Sequence, residues 1–183
     1  MLIARHQEPH RHYHTMAHIR DCLDQVARSA DLSPEDQRLL ETAVWFHDAI
    51  YDPTRMDNEA ESARLASETL SAEGQDVTFV AEVSRLILLT AGHEVAATDP
   101  LGARLVSIDL SILGAEPERY QAYAAAIRRE YAHVPDVFYR PARAGILRRF
   151  VESERLFPDP AWASRLDESA RANLLREIAV LEA

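Results

Sequence analysis

His47 and Asp48 stand side by side at the end of an apolar run, Leu39-Leu40-Glu41-Thr42-Ala43-Val44-Trp45-Phe46. A carboxylate in such a setting must be paired or bound to a metal, because burying an isolated charge is very costly. His14 and His18 precede the pair, and Asp109 follows inside a second apolar run, Leu105-Val106-Ser107-Ile108-Asp109-Leu110-Ser111-Ile112-Leu113. Imidazoles and carboxylates in this order suit a divalent cation that polarises water and phosphate oxygens for hydrolysis.

Each member also has a plainer role. His14 and His18, four apart, would share one face of a helix, at about 40° from each other. The stretch around them is rich in histidine, with His6, His10 and His12 as well. On a helix His47 and Asp48 would diverge by about 100°, so a cation would have to lie between their directions. They could equally be an exposed pair that ties down the turn at Tyr51-Asp52-Pro53. Asp109 is flanked by apolar residues on both sides, and without a metal it would need a buried arginine or backbone partner.

The rest of the composition narrows the chemistry. Lysine is absent and all 20 basic residues are arginine, which excludes Schiff-base catalysis and the lysine of a phosphate-binding P-loop. Cys22 is the single cysteine, so an internal disulfide and a polythiolate zinc site are both excluded. A net charge of −10 disfavours nucleic acid as a partner. Between Arg119 and Arg155, however, eight arginines face four acids, a local surplus suited to an anionic substrate or simply to a solvated helix face. The 183 residues fit one domain spanning 1–183. Neither a membrane span nor the apolar core of a signal peptide is visible, so a cytoplasmic location is expected.

The elements that must position these residues read as helices throughout. Expected spans are Tyr13 to about Ala30, Pro34 to about Ile50, Asp57 or Asn58 to about Ala72, and Val77 to Ala91. Further helices should run from Pro100 to Gly114, from Pro117 through Tyr131, from Pro141 to Arg155, and from Pro160 to about Leu181. Ser33-Pro34-Glu35-Asp36 combines a capping serine, a proline at the first helical position and early acids. Asp52-Pro53 stops the helix that carries the His-Asp pair. No strand-like alternation is evident, and the fold class expected is an all-α helical bundle.

The order His18, His47-Asp48, Asp109 resembles the HD-domain superfamily of metal-dependent phosphohydrolases. Several phrases sharpen the likeness: Tyr13-His14-Thr15-xx-His18-Ile19, Trp45-Phe46-His47-Asp48-Ala49-Ile50-Tyr51-Asp52, Asn58-Glu59-xx-Ser62-Ala63, Thr90-xx-His93, Asp109-Leu110-Ser111-Ile112-Leu113-Gly114 and Arg128-xx-Tyr131. Together they look like the small branch described as predicted metal-dependent HD phosphohydrolases, across nearly the whole chain. Relative to that branch the start is abrupt, since a further short helix is expected upstream.

The resemblance implies an HD-type bundle and a divalent ion (Mn, Fe, Co, Ni, Zn or Mg) on His18, His47, Asp48 and Asp109. It implies a small phosphorylated metabolite or nucleotide as substrate, and a homo-oligomer is compatible with it; no membrane partner is expected, because no apolar stretch approaches a span. Branches that cleave nucleotides or alarmones often place an acid three residues after the motif aspartate, where this chain has Tyr51. Asp52 does match an acidic position of the alarmone-hydrolase branch, so their substrates do not carry over directly. Asp52 and Glu59 are the candidate general bases, although Glu59 at a helix start also complements the helix dipole. His14, Tyr51, His93, Arg128 and Arg143 are candidates for substrate contact, the arginines because their planar fork matches phosphate. Salt bridges to Glu130 or Glu152 are the commoner use of such arginines. Two rival readings are a non-catalytic metal- or nucleotide-binding regulatory module and a structural protein with a buried His/Asp network.

Overall fold

Helix ends in this chain are set largely by side chains that capture backbone groups. Ser33 accepts from Asp36 N at 3.0 Å and Asp76 from Thr78 N at 2.8 Å, each capping the helix that follows. The computed structural model describes residues 2–183, and every regular element among them is helical. In order these are α1 Leu2–Arg5, α2 Met16–Ala27, α3 Pro34–Phe46, α4 Asn58–Ala72, α5 Val77–Leu89 and α6 Pro100–Asp109. A 3₁₀ turn, Leu110–Gly114, leads to α7 Pro117–Glu130, α8 Asp136–Glu152 and α9 Pro160–Glu182. The all-α expectation holds. No helix among the described residues is long and apolar enough to cross a membrane.

The chain forms two compact units that divide between Ile108 and Asp109. In the first, α3 packs on α2, α4 and α5, and α4 packs on α5. Its core is built from Ile19, Leu40, Ala43, Val44, Ala66, Val83, Leu86, Ile87 and Val106, all essentially excluded from solvent. In the second, α9 packs on α8, α7 and the 3₁₀ turn. The buried Asn173 of α9 donates to Leu113 O and Ala115 O, both at 2.8 Å, which fixes the turn against the helix. Gly114 is required there, because a Cβ would lie 2.7 Å from Leu166 Cβ.

Several boundaries depart from expectation. Helix α2 begins at Met16 with Thr15 as its cap, so His14 lies before the helix and does not share its face with His18. Helix α3 stops at Phe46, four residues early, which places His47 and Asp48 in the turn beyond it. The helix expected to run from Pro100 to Gly114 changes to 3₁₀ form after Asp109. Helix α8 starts at Asp136 and carries Pro141 inside it. A proline there cannot bond the carbonyl of Val137, but Val137 is exposed, so water can satisfy that oxygen. The short α1 was not anticipated.

Candidate metal centre

The early end of α3 creates the site. In a continuing helix Val44 O would accept from Asp48 N, and Trp45 O from Ala49 N. Here His47 Nδ1 takes Val44 O at 2.8 Å, and Nε2 of the buried His6 takes Trp45 O at 3.2 Å. Ala49 N turns back to Phe46 O at 2.9 Å. The last carbonyls of α3 are thus satisfied without further helix, and the chain swings Asp48 inward.

Three polar atoms then converge. His47 Nε2 lies 3.0 Å from Asp48 Oδ2 and 3.2 Å from His18 Nε2, while His18 Nε2 is 3.6 Å from Asp48 Oδ2. His18 and His47 are buried, and the Asp48 side chain keeps 15% of its surface exposed. Because a carbonyl can only accept, His47 Nδ1 must carry the hydrogen in its bond to Val44 O. When His47 is protonated its Nε2–H donates to Asp48 Oδ2, and when it is neutral a lone pair stands at Nε2 instead. A proton on that nitrogen relieves one of these contacts. A divalent cation held by all three atoms relieves every one.

The spacing fits such an ion. With metal–ligand distances of about 2.1 Å, neighbouring ligand atoms lie about 3.0 Å apart in an octahedron and about 3.4 Å in a tetrahedron. The observed 3.0, 3.2 and 3.6 Å span that range to within a few tenths of an ångström. Burial alone would push the Asp48 carboxyl up. The charges of His47, His14 and His18, with a hydrogen bond from His47, hold it well below the usual carboxylate range. It is ready to bind a cation without first losing a proton.

Around the trio the sequence-derived candidates fall into place unevenly. His14 stacks on Tyr51 at 4.2 Å between ring centroids and meets the His18 ring edge-on at 6.1 Å, so both His14 and Tyr51 border the site. The Tyr51 ring is also flanked by His10 and by the Arg11 guanidinium. Asp52 points elsewhere: its Oδ1 accepts from Thr54 N at 2.9 Å and Thr54 Oγ1 at 2.7 Å, and those bonds hold its carboxyl below the usual range. Glu59 lies in the first turn of α4. Asp109 is the last residue of α6.

His93 follows α5 with φ of 57°, a left-handed conformation that favours glycine, and its N–H closes the helix onto Leu89 O at 3.0 Å. Both arginine candidates are engaged within the second unit. Arg128 donates to Tyr131 O, Val134 O and Asp136 Oδ1 at 2.7 to 3.1 Å and stacks over Tyr139. Arg143 is buried and pairs with Glu177 at 2.8 Å. Neither pairs with Glu130 or Glu152 in these bonds.

Two residues of a phrase quoted for the resemblance gain a positioning role that the sequence did not assign them. Asn58 clasps the backbone of Asp52 through two bonds, at 3.0 and 2.9 Å. The wholly buried Ser62 bonds Ile50 N at 3.0 Å and Ile50 O at 3.3 Å. Both stand in the Asn58-Glu59-xx-Ser62-Ala63 phrase, which thus fixes the segment leaving the His-Asp turn. Asp57, which precedes α4, makes no capping bond and pairs with Arg55 at 2.8 Å. Cys22 is buried, with Sγ 3.8 Å from both ring nitrogens of His18. No family model, curated protein or solved structure matches this chain.

Proposed function

We propose that the protein is a divalent-metal-dependent phosphohydrolase of HD type, acting on a small phosphorylated metabolite or a nucleotide. The observation that carries this reading is the convergence of His18 Nε2, His47 Nε2 and Asp48 Oδ2, three atoms able to ligate a metal, with the spacing of a coordination shell. In the proposal these three residues hold the ion, and the sequence resemblance supplies Asp109 as a fourth ligand. Two neutral imidazoles and two carboxylates bring a divalent ion close to neutrality. When bound, such an ion lowers the pKa of water and stabilises charge developing on phosphorus.

The chain's own residues supply the remainder. His47 keeps its Nε2 lone pair inward because Val44 O holds the other nitrogen's hydrogen. His14, stacked on Tyr51, borders the site and is placed to meet an anionic group. Phosphate contact by Arg128 or Arg143 would require them to leave their present partners, so His14 carries that role in the proposal.

The engagement of Asp52 with Thr54 favours one rival, a non-catalytic metal-binding module, since it withdraws a candidate base. Assays with an aryl phosphate and a panel of nucleotides, each with manganese, cobalt or nickel, separate the two. The enzyme reading expects metal-dependent phosphate release that chelator abolishes. Stoichiometric metal binding with no turnover of any phosphoester would favour the module.

A further inference from the structure

Arg11 is an arginine whose side chain is wholly buried, a costly placement unless every donor is used. Its donors are used on one small region. Nη1 donates to Asp48 O at 2.7 Å and to His14 O at 3.1 Å, and Nη2 donates to Ala49 O at 3.3 Å. Nε pairs with Glu8 at 3.0 Å, which supplies the counter-charge.

These carbonyls are not an arbitrary set. One belongs to Asp48 itself and one to its neighbour in the turn that leaves α3. The third belongs to His14, in the segment that leads through the Thr15 cap into α2 and His18. A single rigid fork therefore bridges the two stretches of chain that deliver His18 and Asp48. A positive charge beside a cation site opposes cation binding, so attraction of the metal is not the reason for its presence. Geometry is. Lysine could supply the charge but not the rigid planar fork that reaches carbonyls on two segments and Glu8 at once.

We infer that Arg11 is a positioning residue of the metal centre, setting the separation of His18 and Asp48 from outside the ligand shell. The inference rests on the metal reading above and goes beyond it. Losing an outer partner of this kind typically weakens metal affinity by about 10- to 100-fold.

The test compares wild type, Arg11→Lys and Arg11→Gln, loaded with cobalt(II) and read by visible absorption and by chelator competition. The wild type should give a cobalt spectrum of defined intensity. Both variants should keep helical circular dichroism, bind cobalt about tenfold or more weakly, and show altered band positions because the ligands splay. A residue that only staples the fold would lower the melting temperature and leave the spectrum of the folded protein unchanged. Unchanged affinity and spectrum in both variants would overturn the inference while leaving the metal reading intact. Failure of both variants to fold, even with metal, would also overturn it, by making Arg11 a residue of the fold. Absence of any cobalt spectrum in the wild type would contradict the metal reading itself.

Discussion

The two units each bury a cluster of ionisable side chains, and the clusters differ in one respect that sets their roles apart. In the second unit Arg143 gives two bonds to Glu177, at 2.8 and 3.3 Å, and Glu177 also accepts from Tyr120 Oη at 2.5 Å. The Arg143 fork reaches Tyr123 Oη as well, at 3.3 Å. Donors meet acceptors, one positive charge meets one negative, and the network closes on itself. In the first unit His18 Nε2, His47 Nε2 and Asp48 Oδ2 converge on one another, two imidazole nitrogens sharing a single carboxylate oxygen. Burial is similar, but here all three converging atoms are able to ligate a metal. A closed donor–acceptor network holds a fold together, whereas converging ligand atoms suit a cation.

That contrast is broken most severely by Asp48→Ala. The substitution removes the anionic member of the trio, so metal-dependent activity and metal-induced stabilisation should both vanish. The helical spectrum should stay near native, because Asp48 lies beyond α3 and not inside it. Wild-type activity in the variant would remove the metal reading.

Arg143→Met tests the other side. It leaves Glu177 buried without its counter-charge, so stability should fall by about 3–5 kcal/mol in denaturant titrations. Metal affinity should not change. Loss of metal affinity equal to that of Asp48→Ala would mean that the two clusters do not differ in the way proposed.

Asp109→Asn sharpens the comparison further. As a fourth ligand, Asp109 adds a negative charge that the cation would neutralise, so the variant should match or exceed wild-type stability in chelator. It should lose most of the stabilisation that manganese gives the wild type. Equal loss of stability with and without manganese would instead assign Asp109 to a closed network like that of Arg143.

The smallest effect is one of pH. Burial, opposed by the bond to Trp45 O, lowers the pKa of His6 from its usual 6.5. Its folded form binds protons less readily than its unfolded form, so the contribution is complete above pH 6.5 and shrinks as pH falls below it. His6→Gln should flatten the pH dependence of the melting temperature below about pH 6.5.

The fold was legible where local chemistry decides it. Ser33-Pro34, Pro100, Pro117 and Pro160 all mark true helix starts. The ends that depend on distant partners were not. Nothing near α3 announces that His6, 39 residues earlier, will take Trp45 O, or that Arg11 will take Asp48 O. Those bonds turn an expected helical pair into an inward-facing turn. For the same reason His18, His47 and Asp48 could be grouped by residue type and order, while Arg11, an ordinary residue in sequence, acquires meaning only from the backbone atoms it reaches.

The central claim is that the trio in the first unit holds a divalent cation. The most direct test is elemental analysis of purified protein, joined to thermal melts in chelator and in saturating manganese. About one metal ion per chain is expected. At a manganese concentration about 100 times the dissociation constant, linkage gives about 2.7 kcal/mol, which raises the melting temperature by about 5–10 °C. No bound metal, together with coincident melts in chelator and in each of manganese, iron, cobalt, nickel, zinc and magnesium, would contradict the claim.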